Sequence, residues 1–436
     1  MRTIATVLLV LTAATAAAQE SALRLTLEDA QMRAVAASHR LAEARARQAA
    51  AQDAVTIRGL ADRPLVGASA GYTRTNHVTE FIVPSPTGVP RVLYPDVPDN
   101  YRTRLDLQWP IYAGGRTDAL ERAAQAEASA AAADVEAAQA DLRLEVARAF
   151  WALVTARATV AVLDEALTRS QAQLADTRAR FKAGFVPPNE VAAAEAQESR
   201  QRMLLIEARN QRDLSSADLA RLAGVDLLQP IEPSARLDAV DLPASPVDRL
   251  IADARAQRRE RRALELRIEA AEHQTDAAAG GKRPAISVAG GFDYARPNPR
   301  IFPRAETWDD SWELGIGVSW ALWDGGRTRA EMSQAANLAG AARSRLAEFD
   351  SVVALEVQQR RLETESGRAA VVAAMDAVRA AAEARRVVAQ RYQAGVATQT
   401  EILDADVALL QAELDRTRAL AAVRLAEARL ARAVGR

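Results

Sequence analysis

Residues 109–117 read WPIYAGGRT and residues 320–328 read WALWDGGRT, and the reading of this pair decides the architecture. The two stretches lie 211 residues apart. The same offset relates RFKAG at Arg180–Gly184 to RYQAG at Arg391–Gly395, and Gly224 to Gly435, so register is kept far beyond the motif itself. Each copy leads from an alternating segment into a very long Ala-rich segment of helical periodicity. The chain is therefore an internally duplicated strand-strand-long-helix-hairpin unit, an architectural repeat that points to a conduit rather than to a catalyst.

Upstream of the first motif, Tyr101, Thr103, Leu105, Leu107, Trp109 and Ile111 fall on one face of a strand. Arg102, Arg104, Asp106 and Gln108 fall on the other. In the second copy Trp312, Leu314, Ile316, Val318, Trp320 and Leu322 oppose Glu313, Gly315, Gly317, Ser319 and Ala321. Strands are expected at about 65–75, 101–112, 285–296 and 311–323, as two hairpins and four strands per chain. A Pro-rich loop joins the first pair. Alternation alone would suit a half-buried sheet in any soluble protein. Against that stand the missing large apolar partner, Trp and Tyr near the strand ends, and a strand length matched to an outer membrane. Four strands cannot close a barrel in lipid, so a barrel built from them must be shared between chains.

Val135, Ala138, Leu142, Val146, Ala149, Leu153, Ala156, Val160, Leu163 and Leu167 recur at spacings of three and four, strictly alternating from Val146 on, continued by Leu174 and Phe181. Such a helix is about 100 Å long at 1.5 Å per residue and needs neighbours along its whole length. Helical hairpins are expected at 113–223 and 324–434, turning at Gly184, Pro187 and Pro188 and at Gly395. Arg360 replaces Ala149 in the second seam, and Gly367 is expected to interrupt its helix. A helix over Leu25–Asp62, capped by Thr26, has its counterpart at Val247–Ala279. The stretch 225–246, with Pro230, Pro233, Pro243 and Pro246, reads as a linker or lateral equatorial segment between a first repeat at 19–224 and a second at 247–436.

Arg2, the apolar run Ile4–Leu11 and the small residues before Gln19 predict a signal peptide over 1–18. No later run of about 20 apolar residues is expected, which leaves strands as the means of membrane insertion. A formal net charge of −1 argues against nucleic acid as a partner. The absence of Cys removes disulfides, thiolate metal sites and a lipidated anchor, and the three histidines, His39, His77 and His273, have no ligand spacing. No catalytic, cofactor or metal site is expected.

With YAGGRT and WDGGRT after strands, RFKAG and RYQAG at hairpin tips and the opening LTLEDA, the sequence resembles the TolC family of outer-membrane efflux proteins over essentially the whole mature chain. The resemblance implies an all-α coiled-coil tunnel with a trans-subunit transmembrane β-barrel, 12-stranded in a homotrimer. It implies an exit duct for tripartite efflux, working with a periplasmic adaptor (membrane fusion protein), an inner-membrane transporter and outer-membrane lipid. Type I protein secretion is the alternative, so the cargo is small-molecule or polypeptide; a soluble periplasmic coiled-coil scaffold or adaptor is the reading from another class. The helical body is then periplasmic and the localisation the cell outer membrane.

Residue by residue, the resemblance carries a periplasmic gate to Glu401 and Asp404, with Glu190 as the first-half match of Glu401. Adaptor-contact tips fall at Arg180, Phe181, Gly184, Arg391, Tyr392 and Gly395. The barrel-to-tunnel junction falls at Gly114, Gly115, Arg116, Gly325, Gly326 and Arg327. At Ala397 some members carry a basic latch residue, so a mouth held shut here requires a different latch, for which Gln399, Arg391 and Arg180 are the candidates. Glu401 and Asp404 also suit a simple role as helix-start acids, and Phe181 and Tyr392 a role in the seam.

Overall fold

The computed structural model describes residues 22–84, 86, 88–238 and 246–436. The expected signal peptide lies outside the described residues, as does 239–245 of the expected linker. In chain order the elements are β1 (Leu23–Leu25), α1 (Leu27–Ala37), α2 (His39–Gly59), β2 (Leu65–Arg74), β3 (Phe81–Val83) and β4 (Arg91–Tyr94). There follow β5 (Asp99–Ala113), α3 (Arg116–Lys182), α4 (Pro188–Ala223), β6 (Ile231–Pro233), α5 (Val247–Gln257) and α6 (Arg259–Ala279). The chain ends with β7 (Ala285–Arg296), β8 (Asp309–Ser319), α7 (Arg327–Gln393) and α8 (Gln399–Val434). The fold is mostly helical. α3 and α7 are each 67 residues long and α4 and α8 each 36, and their bounds are offset by 211 throughout.

The chain forms two compact units, and each draws on both sequence repeats. One unit contains residues 138–258, 353–436 and the chain up to Ala42. Its main core joins Leu142, Val146, Phe150 and Leu153 of α3 to Ala30 and Ala34 of α1 and to Leu219 and Leu222 of α4, with Leu25 and Ile231 beneath. Each large apolar side chain buried this way contributes about 1.5–3 kcal/mol. β1 and β6 pair in parallel beside it, Leu23 opposite Ile231. Further along α3, Leu163 and Ala166 pack with Leu205 of α4 and Leu410 of α8.

The helices expected over 25–62 and 247–279 are each broken once. Thr26 does cap α1, in a box in which its hydroxyl accepts from the Asp29 amide and Asp29 accepts from the Thr26 amide. Backbone at Ser38 and Arg258 is extended. Close beside these breaks arrive the left-handed glycines that end α4 and α8. A Cβ on Gly224 would stand 2.3 Å from the Ala37 Cβ, and one on Gly435 2.9 Å from the Gln257 carbonyl carbon. Crowding at these approaches is a packing event that local propensity does not report.

The other unit, 43–137 and 259–352, carries a four-stranded antiparallel sheet in the order β2-β5-β7-β8. In the same unit Ala130 and Ala133 of α3 pack on Ala263 and Leu266 of α6. The expectation of four strands in all is too low, because β1, β3, β4 and β6 also form, β3 and β4 as a small hairpin inside the Pro-rich loop. β8 stops at Ser319, so Trp320 and Leu322 lie beyond the strand.

Two further expectations are corrected. Gly367 lies inside a continuous α7; a Cβ there would stand 3.0 Å from Val423 Cγ2, so this glycine lets α7 and α8 approach. α3 also contains an 18-residue window apolar enough to cross a bilayer by length and composition, contrary to the expected absence of one. Part of that window is buried within the protein. Ala-rich seams have this composition because helices pack closely through small side chains.

Candidate functional site: sheet faces, strand-to-helix turns and hairpin tips

The register sorts the sheet into two faces. Leu105, Phe292 and Trp312 align across β5, β7 and β8 on one side, Leu107, Gly290 and Leu314 form the next row, and Trp109, Val288 and Ile316 the one after. This face is open: Trp312 is 71% exposed and Ile316 73%. At one end Tyr72 and Tyr101 lie 5.0 Å apart, and Trp308 stacks on Tyr294 at 5.0 Å. At the other end Trp109 Nε1 donates to the Asp62 carbonyl and Trp320 Nε1 to the Lys282 carbonyl, both at 3.0 Å. Eight residues separate Tyr101 from Trp109, about 26 Å of strand. Two aromatic girdles at that spacing flank an apolar band of the height used in outer-membrane barrels.

The opposite face is charged and otherwise lined by small residues. Asp293 of β7, 3% exposed, receives Arg102 Nε at 2.6 Å and Arg104 Nη1 at 2.7 Å. Arg104 also binds Asp106 at 2.5 Å and Glu313 at 2.8 Å. Its guanidinium lies over Gly291, where a Cβ would stand 2.5 Å from Nη2. The sequence put Arg102, Arg104, Asp106 and Glu313 on polar faces but gave no role to Asp293. Parity would have found it only once the β5–β7 register was known.

At the strand-to-helix turns all four expected glycines have positive φ: 67° at Gly114, 79° at Gly115, 68° at Gly325 and 92° at Gly326. The two turns differ in their surroundings. A Cβ on Gly114 would stand 2.5 Å from the Gly280 carbonyl oxygen, so a side chain is excluded twice, by backbone and by space. Around Gly325 and Gly326 the chain itself leaves open space. Arg116 is exposed, and Arg327 pairs with Glu331 of its own helix, 3.6 Å away. Asp324, which sequence reasoning missed, accepts from the amides of Gly326 at 2.9 Å and Thr328 at 2.8 Å. The hydrogen bonds from Thr328 and from these amides hold its carboxyl down at about 2. The first-half counterpart is Ala113, so an N-terminal cap of this kind exists in one turn only.

The hairpin tips belong to the first unit, and their turns are closed alike. Gly184 N–H donates to the Phe181 carbonyl and Phe185 N–H to Arg180; Gly395 donates to Tyr392 and Val396 to Arg391. The two tips are joined by aromatic and amide contacts. The Arg180 guanidinium carbon sits 4.4 Å from the centroid of the Tyr392 ring, and Gln173 Nε2 donates to Gln399 Oε1 at 3.2 Å. Tyr392 is 6% exposed. Its hydroxyl has no hydrogen bond of acceptable geometry although Thr177 is adjacent, and burial pushes the phenol up. Of the three latch residues expected, Arg180 and Gln399 thus link the hairpins. Arg391 stays in its own hairpin, 3.6 Å from Glu401. Phe181 is exposed; the buried seam near the tip runs through Thr177 and Tyr392 instead.

Glu401 completes a capping box with Thr398 at the start of α8, its Oε1 accepting from the Thr398 amide. Asp404, one turn on, is exposed and has no ion-pair partner among the described residues. Glu190 is half-buried at the start of α4, its amide bonded to the Pro187 carbonyl. A buried acid near the tips that the sequence did not single out is Asp406, 7% exposed, which receives Arg385 Nε from α7 at 2.6 Å. Among the described residues no group of His, Asp and Glu side chains is arranged to hold a metal ion.

The model of the outer membrane efflux protein family matches residues 31–225 and 250–436, one segment for each sequence repeat. The chain belongs to that family. Solved structures with the same fold include the outer-membrane channel OprN, 20% identical, with a TM-score of 0.77 over 94% of this chain and 89% of that one. They include VceC of Vibrio cholerae, 22% identical, with a TM-score of 0.76 over 94% of this chain and 96% of the other. The MtrE outer membrane channel of Neisseria gonorrhoeae, in its open state, is 20% identical, with a TM-score of 0.75 over 94% and 88%. Among the curated proteins none matches by sequence. The long helical hairpins and the sheet described above are the TolC-type fold of this outer membrane efflux protein family.

Proposed function

We propose that this outer membrane efflux protein is one subunit of a homotrimeric exit duct, through which an inner-membrane transporter and a periplasmic adaptor discharge cargo across the outer membrane. The observation that carries this reading is the four-stranded sheet. Its apolar face is uncovered, and β2 and β8 each keep one unpaired edge within the sheet. In lipid an unpaired edge costs several kcal/mol per orphaned backbone group, so β8 of one subunit must meet β2 of the next. Three copies close the ring as twelve strands with the polar face inward.

The exposed apolar side chains of α7 support the same assembly. Leu338, Val352, Leu355, Leu362 and Val372 are uncovered in one chain and need helices of neighbouring copies. The repeats at 19–224 and 247–436 then place two hairpins per subunit around a tunnel. Their tips form the periplasmic mouth and the adaptor contact, where Phe181, Phe185 and Val396 are exposed. Three copies of Asp404, together with Glu401 and Glu190, would ring that mouth with negative charge and draw cations. The Arg180–Tyr392 and Gln173–Gln399 contacts hold the two tips of a subunit together and take the place of a basic latch at Ala397.

The test is the mass of the detergent-extracted complex without boiling, with single-channel conductance of the same material in a planar bilayer. A trimer of small conductance that rises in a Glu401→Gln, Asp404→Asn variant supports the duct and its gate. Glu401→Gln keeps the carbonyl that accepts from the Thr398 amide, so the cap survives while the charge is removed. A monomer or dimer soluble without detergent and lacking channel activity overturns the reading in favour of a periplasmic scaffold.

A further inference from the structure

Of the connection between β7 and β8, residues 297–304 bend over the polar face of the sheet, and the chain returns along the apolar side at Glu306 and Trp308, against Arg296 and Tyr294. Asn298, 2% exposed, donates Nδ2 to the Asp309 carbonyl and to Ser311 Oγ, each at 3.0 Å, while its Oδ1 accepts from the Arg300 amide at 2.9 Å. Arg300 donates to the Trp312 carbonyl at 2.9 Å and pairs with Glu313 at 3.1 Å. Arg304 reaches to the far side, donating to Asn100 Oδ1 at 2.9 Å and to the Tyr94 hydroxyl at 2.7 Å. Ser311, Glu313 and Asn100 all stand on the polar side, in step with Asp293, Gly291 and Arg102.

These anchors lie on both sides of β7, on β8 and on β5, which are not neighbours. The loop therefore crosses the end of β7 as a strap. Beneath it remains a recess of about 370 Å³ whose lining includes Arg102, Arg104 and Arg304. The attachments differ in strength. Asn298 is buried and multiply bonded, whereas the Arg300–Glu313 pair is nearly half exposed on each side and is worth about 0–1 kcal/mol. Arg304, half-buried, is held by its two hydrogen bonds and by the Tyr94 ring 5.2 Å away, so the Asn298 end is the firmer and the Arg300 contact the weakest.

We propose that this loop is a collar that narrows the outer mouth of the duct and sets the size of cargo that passes there, a constriction in series with the hairpin tips. The proposal rests on the trimeric barrel with its polar face inward. Three copies of one strap, each pinned at Asn298 and released at Arg300 and Arg304, would yield to cargo pushed from the periplasmic side and recover behind it.

The chain has no native Cys, so single thiols report directly. Ser287→Cys lies on the polar face near the end of β7 remote from the loop, paired with Gly317. Ile316→Cys lies on the apolar face. Trimers in sealed vesicles, outer side out, are treated with maleimide reagents of graded size, and labelling is read as a mass shift. The collar predicts that Ser287→Cys accepts small reagents and refuses large ones, and that Arg300→Ala with Arg304→Ala moves the cut-off to larger reagents. Asn298 is retained in that variant to preserve the fold, and recovery of the unboiled trimer checks it. An unchanged cut-off, with Ser287→Cys still labelled by the small reagent, overturns the collar and leaves the duct standing. Failure of the small reagent to distinguish Ser287→Cys from Ile316→Cys overturns the barrel itself, and the collar with it.

Discussion

Replacing Arg180 by Ala should loosen the hairpin tips and shift the duct toward its open state. The guanidinium carbon lies 4.4 Å from the Tyr392 ring centroid, the ring is 6% exposed and the Arg180 side chain 28%. A cation–π contact is worth about 0.5–1 kcal/mol when exposed and about 2 when desolvated, so this intermediate site contributes about 1 kcal/mol per subunit. If three subunits open together the loss is about 3 kcal/mol, a shift in the closed-to-open ratio of about a hundredfold. The Arg180–Asp176 pair is also lost, but both partners lie on α3, so it does not bear on how the hairpins are joined. Tyr392→Phe provides the contrast. Its hydroxyl makes no good hydrogen bond, so removing it keeps the ring under the guanidinium and leaves the closed state intact. Single-channel recordings of the assembled duct should show long open dwells in Arg180→Ala and in Tyr392→Leu, and wild-type closure in Tyr392→Phe. Closure retained in Arg180→Ala refutes the contact as a latch. Opening in Tyr392→Phe would assign the hold to the hydroxyl and Thr177 instead.

Gly114→Ala should destabilise the protein more than Gly325→Ala. Both suffer left-handed strain of about 1–2 kcal/mol, but only the first drives a methyl into the Gly280 carbonyl; equal losses of thermal stability and trimer yield would contradict this. Arg385→Ala strands the buried Asp406 carboxylate and should cost about 3 kcal/mol, the low end for a broken buried pair because Arg385 is 31% exposed. A thermal denaturation curve matching wild type would count against it, and Arg385→Met with Asp406→Leu should recover part of the loss. Asp324 has a depressed carboxyl pKa, so its contribution is fully present above the ordinary value of 3.8 and fades as pH falls through about 2. The stability difference between wild type and Asp324→Ala should therefore be largest at neutral pH and shrink across that acid window; a difference unchanged at the acid end is the contrary result.

The period-two runs and the 211-residue repeat gave the strands and long helices within a few residues, because both are periodic local signals. Thr26 as a cap and Gly114, Gly115, Gly325 and Gly326 as turn residues were also legible, since capping and positive φ are demands of the local backbone. The breaks at Ser38 and Arg258 were not, because packing against the ends of α4 and α8 decides them. The hairpin β3–β4 hid inside a Pro-rich loop. For the same reason Asp293 and Asp406 passed unnoticed as single acids in polar company, and both acquire meaning only from an arginine on another element.

What the sequence determined alone was therefore the duplicated plan: which residues alternate, which repeat by sevens, and where the chain must turn. Tertiary structure decided which of those residues meet. It placed Arg104 between Asp106, Asp293 and Glu313, laid Arg180 on Tyr392, tied Asp406 to Arg385 and drew residues 297–304 over the polar face. The division has a physical basis. Periodicity and turn chemistry are set by backbone geometry over a few residues, whereas strand register and helix pairing are minima over distant segments that no local window contains.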